Sequence, residues 1–130
     1  MKIFSCEDIN KFSLSEKVYA KLKRLHEEGH FSEMRDAYRL GIALGLSRGI
    51  VPPEIGSPKS AGIYSISQID PDQSLAIAIS LIMDTEDLPP YRWAERLAEW
   101  GIDELSRQSE QGQINFLQLI TEAKENARDI

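Results

Sequence analysis

The chain has 130 residues, 42% of them hydrophobic, and a net charge of −6 at pH 7. This length and composition allow a buried core in one domain, or in a small unit with a companion subdomain, and exclude a disordered tail. Cys6 is the single cysteine, which excludes an internal disulfide and fits a reducing cytosol. We expect a cytoplasmic protein. A signal peptide is not expected, because the acidic residues Glu7 and Asp8 directly follow residues 1–6. A membrane span is not expected either, because the longest apolar run, 75–83, is too short to cross a bilayer.

The charge is distributed unevenly along the chain. Residues 1–50 hold nine Lys and Arg against seven Asp and Glu, a net charge of +2, whereas residues 51–130 hold six against fourteen, a net charge of −8. The first half can approach an anionic partner, and the acidic second half would be repelled by one. The whole chain lacks the basic excess that is typical of a stand-alone nucleic-acid-binding protein.

The first predicted elements are a short strand over 10–15 and a helix that follows it. In the strand, Phe12 and Leu14 alternate with polar residues, which gives the strand one apolar face. The helix is expected to begin where Ser13 and Glu16 have the S-x-x-E spacing of a capping box. Its apolar stripe recurs every three or four residues and consists of Leu14, Val18, Leu22 and Leu25.

A second helix is predicted from roughly 33 to 47, with Ser32 as its N-cap. Ala37, Gly41 and Gly45 are spaced four residues apart, so they form a ridge of small residues on one face of this helix. Such a ridge lets another backbone approach closely, at a cost in helix propensity. We therefore expect another element to pack against it.

Residues 50–62 hold three prolines and two glycines and form the clearest break in the chain. This break predicts a first unit over 1–49, a connector over 50–62 and an acidic helical subdomain over 63–130. At the start of the last part, residues 63–69 fit either a short strand or an extended lead-in.

The rest of the second half is predicted to be helical. Asp70 can cap a buried helix from about 71 to 83, and Pro89 and Pro90 open an amphipathic helix after a turn. The inward residues of that helix are Trp93, Ala94, Leu97, Trp100, Gly101 and Leu105, and a last helix contains Ile114, Phe116, Leu117, Leu119 and Ile120. Acidic residues of this half fall on polar faces and are expected to be solvated. The predicted fold is therefore mostly α: a short N-terminal strand and two helices, then a small bundle of about three helices.

Residues 26–30 read HEEGH, the H-E-x-x-H spacing with which metalloproteases bind zinc. Such a site needs His26 and His30 on one face of a continuous helix, with Glu27 beside a metal-bound water. Gly29 lies inside the motif, where it is expected to end the helix, so that His30 points elsewhere. We therefore interpret the motif as a charged helix end and predict no catalytic residue, no metal site and no cofactor. A zinc hydrolase is the least favoured alternative.

The stretch FSLSEKVYAKLKRLHEEGHFSEMRDAYRLGIALGL, residues 12–46, resembles a ribbon-helix-helix unit. In that family a short strand pairs with its twin across a two-fold axis, and the polar face of the ribbon enters the DNA major groove. In the same family, the N-terminus of the second helix contacts a phosphate of the DNA backbone. The resemblance implies a homodimer with Phe12 and Leu14 in the dimer core. The DNA-contacting residues that it implies are Lys11, Ser13, Ser15, Ser32 and Arg35.

A closer similarity is to the small E subunit of the bacterial DNA phosphorothioation machinery, a relative of the ribbon-helix-helix proteins. The similarity covers residues 10–53 and rests on the pattern of Leu14–Ser15, Gly29, Arg39, Gly49 and Pro52–Pro53. It implies a role in a DNA-modification or defence system. The alternative is that this helical hairpin belongs to a fold that never contacts DNA, because such hairpins with capping serines are common.

The second half offers candidate partner-binding residues at the start of its amphipathic helix. Trp93 and Trp100 are seven residues apart and hence on nearly the same face, and Tyr91 and Arg92 flank the Pro-Pro start. Aromatic residues and arginine are the types that anchor protein interfaces. The simpler interpretation, which we favour, is that the two tryptophans fill the core of a small bundle.

These observations lead to three functional hypotheses. The first is a non-enzymatic bacterial accessory or regulatory protein, such as a DNA-modification subunit or an antitoxin-like regulator. It would dimerise through its first half, contact DNA weakly or within a complex, and bind a protein partner through its acidic second half. The second hypothesis is an all-helical protein–protein interaction module without a DNA role. The third is the zinc hydrolase.

Overall fold

The computed structural model describes residues 8–86, 88–112 and 121. In this part the chain is mostly helical, with one short two-stranded antiparallel sheet. The elements in chain order are β1 (Lys11–Phe12), α1 (Glu16–Glu27), α2 (Met34–Ser47), β2 (Tyr64–Ser65), α3 (Ile66–Ile69), α4 (Ser74–Ile82) and α5 (Pro90–Glu110). The predicted fold class, a short N-terminal strand with helices and then a helical bundle, is confirmed. The last predicted helix, over 114–120, lies outside the described residues.

The predicted N-terminal strand exists, but its partner strand belongs to the same chain. β1 pairs antiparallel with β2, so that Lys11 lies opposite Ser65 and Phe12 lies opposite Tyr64. An isolated bridge between Ser15 and Lys59 extends this pairing. The segment over 63–69, which fitted either a strand or a lead-in, forms β2 and the short helix α3. In this structure the ribbon is closed within one chain.

The boundaries of α1 follow from its two ends. Ser15 is its N-cap, and the Ser15 side chain accepts a hydrogen bond from the Val18 backbone N–H at 3.2 Å. The prediction that Ser13 caps this helix is therefore wrong by two residues. At the other end, Gly29 has a φ of +82°, the left-handed conformation that glycine adopts at low cost. The prediction that the helix ends near Gly29 is confirmed.

The helices α2 and α4 begin later than predicted. The N-cap of α2 is Glu33 rather than Ser32, and no side chain caps it. α4 begins at Ser74, and its N-cap residue, Gln73, has a φ of +64°. The Asp70 carboxylate nevertheless accepts hydrogen bonds from two backbone N–H groups in the first turn of α4, at 2.9 and 3.0 Å. The Asp70 side chain therefore caps this turn as predicted, but the prediction that Asp70 itself occupies the N-cap position is wrong, because Gln73 does.

The predicted ridge of small residues on α2 packs against α5. A β-carbon on Gly41 would lie 3.2 Å from the backbone nitrogen of Ile102, and one on Gly45 would lie 2.8 Å from the side chain of Leu97. A β-carbon on Gly101 would overlap the backbone of Gly41. The two helices therefore cross at a point where neither can carry a side chain, which confirms that another element packs on this ridge.

A single core lies between these helices and β1. It is built from buried side chains on both sides of the connector over 50–62, among them Phe12, Leu22, Tyr38, Leu97, Ile102 and Leu105. The predicted segments 1–49 and 63–130 thus share one core in the part of the chain that the structure describes. None of the helices described there is long and apolar enough to cross a bilayer.

Candidate functional site

The HEEGH motif does not form a continuous helical site. α1 ends at Glu27, between the two histidines. The His26 Nδ1 lies 3.1 Å from the carbonyl oxygen of Phe31, whereas the His30 Nε2 lies 3.5 Å from a carboxylate oxygen of Glu28. Across the residues that the structure describes, no three His, Cys, Asp or Glu side chains come together in a way that could hold a metal ion. The single continuous helix face that the zinc interpretation requires is therefore not formed.

Ser13 and Ser15 are buried, so the expectation that they face outward from a ribbon is wrong. The Ser13 backbone N–H donates to a carboxylate oxygen of Glu95 at 2.8 Å. The backbone N–H and the hydroxyl of Ser15 donate to Glu99, at 3.0 and 2.8 Å. The Ser15 hydroxyl, which a DNA-facing ribbon would offer to nucleic acid, thus donates to a carboxylate of α5 instead. Glu95 is buried, so the expectation that the acidic residues of this half are solvated fails at this position.

Lys11 and Arg92, predicted for two different surfaces, line the same open cavity of about 630 Å³. Lys59 and two carboxylates, Asp8 and Glu95, line it as well. The Lys59 Nζ lies 2.7 Å from Glu95, and Asp8 accepts hydrogen bonds from two backbone N–H groups in the first turn of α5, at 3.2 and 3.1 Å. Among the residues that the structure describes, three cations and two anions line this cavity, an excess of one positive charge.

The remaining predicted DNA contacts, Ser32 and Arg35, are exposed at the start of α2. The Arg35 guanidinium is 2.6 Å from a carboxylate oxygen of Glu33. Neither residue lines the cavity around Lys11. The structure therefore places the predicted DNA-binding residues on separate surfaces and in the interior, rather than on one face.

The aromatic residues of α5 are half-buried and pack on the core. The Tyr91 hydroxyl donates to the Asp70 carboxylate at 2.8 Å, and the Trp93 indole N–H donates to the carbonyl oxygen of Asp84 at 2.7 Å. Trp100 lies two turns further along, where it lines an open groove of about 410 Å³. Trp93 and Trp100 thus pack against the edge of the core without filling it, and their role in binding a partner stays a prediction.

The largest unexpected feature is the apolar surface of α4, which was predicted to be a buried helix. Leu75, Ile79 and Met83 recur every four residues and pack on the core. Over the rest of the helix surface, Ile77, Leu81 and Ile82 are exposed by 61%, 82% and 43%. The prediction of a fully buried helix is wrong because α4 is apolar nearly all round, yet the described chain covers only one of its sides. We call the surface of Ile77, Ala78, Leu81 and Ile82 the α4 face.

Acidic residues frame the α4 face. Between Lys59 and Arg92 the sequence holds five Asp and Glu residues and no Lys, Arg or His. Asp72 precedes α4, and Asp84 and Glu86 follow it; all three are exposed. Hydrogen bonds from Ser74 hold the pKa of Asp72 below its usual value, and nearby Arg39 lowers that pKa further. Asp72 is thus charged at neutral pH.

Comparison with known proteins gives no match: no protein-family model, curated protein or solved structure is similar to this chain. The similarity to ribbon-helix-helix proteins and to the phosphorothioation subunit stays a prediction from residue patterns. The α4 face was not predicted from the sequence. The signal available there was the apolar character of residues 75–83 on every side, which predicts burial without saying what covers each side.

Proposed function

We propose that this protein is a non-enzymatic protein–protein interaction module and that the α4 face is its docking surface. The exposure of Ile77, Leu81 and Ile82 on one side of a nine-residue helix carries this proposal. Covering an apolar surface is favourable by about 25 cal/mol for each Å² removed from water. Contiguous apolar patches with a polar rim mark interaction sites on soluble proteins. A helix that is apolar all round is otherwise found in a core.

The placement of the predicted DNA contacts favours this function over the DNA-associated one. Ser13 and Ser15 are buried, the Ser15 hydroxyl donates to Glu99 of α5, and the Arg35 guanidinium lies against the Glu33 carboxylate. The net charge of −6 opposes long-range attraction to nucleic acid. In the proposed function, Lys11 and Arg35 are surface charges and the acidic second half carries the partner surface.

The test is capture of a partner by the tagged full-length chain, compared between two matched substitutions. Leu81→Glu places a charge on the α4 face, whereas Val51→Glu places the same charge on a side chain that is 73% exposed in the connector. We expect a partner that the wild-type chain and Val51→Glu retain and that Leu81→Glu loses. The purified partner should then bind with a negative heat-capacity change, the signature of apolar burial. Equal retention by both variants would refute the α4 face as the docking surface.

A second candidate is the DNA-associated accessory role, in a DNA-modification or defence system or as an antitoxin-like regulator in the bacterial cytosol. What supports it is the cavity where Lys11, Lys59 and Arg92 meet. Such a cluster would contact phosphates and contribute affinity without reading bases. Its test is a titration of the purified chain against duplex DNA at several salt concentrations. Binding that weakens as salt rises and that Lys11→Glu abolishes would support it, and no binding at low salt would reject it for the isolated chain. Homodimerisation stays a prediction.

A further inference from the structure

We infer that the partner segment of the α4 face is an amphipathic helix whose apolar stripe is flanked by Lys or Arg at both ends. This inference rests on the proposed function and adds the chemistry of the partner. It follows from the shape of the apolar surface and from the charges that frame it.

The apolar surface has the spacing of a helix-binding ridge. Ile77 and Leu81 are one helical turn apart, and Ala78 and Ile82 form a parallel pair beside them. The row of Ile77 and Leu81 lies opposite the core stripe of Leu75, Ile79 and Met83, and the row of Ala78 and Ile82 lies between that row and the stripe. Rows of this kind fit between the side-chain ridges of a second helix, which meets them with apolar residues three and four apart.

The charges define the partner further. α4 has nine residues, so it is about 13 Å long, and acidic side chains stand at both of its ends. A helix lying along α4 would bring its own flanking residues close to Asp72 at one end and to Asp84 and Glu86 at the other. Basic residues there would be attracted, and acidic ones would be repelled, which sets specificity more than affinity.

The acidic residues at the two ends of α4 also disfavour a second copy of this chain as the partner of the α4 face. A two-fold axis would pair the α4 helices either parallel or antiparallel. In the parallel case Asp84 meets its own copy, and in the antiparallel case it meets Asp72 of the other chain. Carboxylates face carboxylates in both arrangements, which costs binding free energy. A basic helix meets no such repulsion.

The experiment uses the full-length protein and three fluorescent peptides of about 18 residues, each about 27 Å long when helical. The first has an apolar stripe with lysine flanks. The second has the same stripe with glutamate flanks. The third is a scrambled version of the first, with the same charge and no stripe. Fluorescence anisotropy gives their affinities at low and high salt, and sedimentation gives the oligomeric state of the wild-type chain and of Leu81→Glu.

We expect the lysine peptide to bind at least about tenfold more tightly than the other two, with the preference shrinking at high salt. Leu81→Glu should lose this binding, and Val51→Glu should keep it. Glu86→Gln should lower the affinity for the lysine peptide and leave the affinities for the other two peptides unchanged. Circular dichroism of each variant verifies that it is folded.

Three results would overturn the inference. Equal binding of the lysine and glutamate peptides, lost in Leu81→Glu, would reject the charge preference and leave the proposed docking surface intact. Equal binding of the scrambled peptide would show that charge alone attracts it and would reject the helical partner. A dimer that Leu81→Glu separates, with no peptide bound, would show that a second copy covers the α4 face.

Discussion

Gly101 of α5 approaches Gly41 of α2 so closely that a β-carbon on Gly101 would overlap the Gly41 carbonyl group. This contact fixes the distance between the two helices that build most of the core. It also positions the part of α5 that carries Glu95 and Glu99, which hold the backbone at Ser13 and Ser15. A glycine in a helix costs about 1 kcal/mol relative to alanine, so the close approach has to compensate for two such residues.

The Gly101→Ala substitution should destabilise the protein. Alanine gains about 1 kcal/mol of helix propensity, but relieving an overlap with backbone atoms costs about 1–3 kcal/mol or more, so we expect a net loss. The control is Gly45→Ala, where the new β-carbon meets a movable methyl group of Leu97 rather than backbone. Urea unfolding of both variants gives the comparison. A Gly101→Ala protein as stable as the wild type would show that the helices do not cross at this distance.

Glu95 should contribute more to stability than an exposed glutamate. It is buried, accepts a hydrogen bond from the Ser13 backbone N–H and lies 2.7 Å from the Lys59 ammonium. Glu95→Ala leaves a buried N–H group without its acceptor, at a cost of about 1–3 kcal/mol. Glu95→Gln keeps an acceptor oxygen and should lose less. Glu110, an exposed residue of α5, is the control. The free energy of unfolding of Glu110→Ala should lie within about 0.5 kcal/mol of the wild-type value. Similar losses at both positions in urea unfolding would contradict the assigned role of Glu95.

From the sequence, the faces of the helices and the strand that must be covered could be predicted, whereas the elements that cover them could not. The spacing of Gly41 and Gly45 predicted a close helix contact, because small residues four apart leave room for a backbone. It did not identify α5, since periodicity carries no information about the partner. The alternation around Ser13 gave a polar face, but the group that meets it is a carboxylate 82 residues away. The exposure of Leu81 could not be predicted, because an apolar helix is expected to be buried on all sides.

Alkaline pH should destabilise the protein through its buried tyrosines. Burial raises the pKa of Tyr38 well above its usual value, and the charges of Glu95 and Glu99 raise it further. Burial also raises the pKa of Tyr64 to about 12. A group whose pKa is raised by folding stabilises the folded state below its unfolded pKa of about 10, and this contribution is lost as pH rises towards the folded pKa.

The measurement is urea unfolding of the wild type and Tyr38→Phe between about pH 8 and about pH 11, with tyrosinate absorbance to follow ionisation. Tyr38→Phe loses the hydrogen bond to the Ser13 carbonyl oxygen, so it should be less stable than the wild type near neutral pH. Its stability should fall less steeply with rising pH. Tyr64→Phe provides a second, half-buried position for comparison. If the free energy of unfolding fell equally steeply with pH in the wild type and in Tyr38→Phe, ionisation of Tyr38 would not be a cause of the alkaline destabilisation.

The two sides of α4 should respond differently to truncation. Ile79 is fully buried, so Ile79→Ala should cost about 2–4 kcal/mol through lost burial and a new cavity. Leu81 is 82% exposed, so Leu81→Ala should change the free energy of unfolding by no more than about 0.5 kcal/mol. Urea unfolding at low protein concentration, where self-association is weak, gives both values. A large loss for Leu81→Ala under these conditions would mean that the folded chain itself covers Leu81, and the docking surface would then have to be sought elsewhere. A neutral Leu81→Ala that nevertheless loses its partner would separate the two roles of this helix: one side stabilises the fold and the other binds.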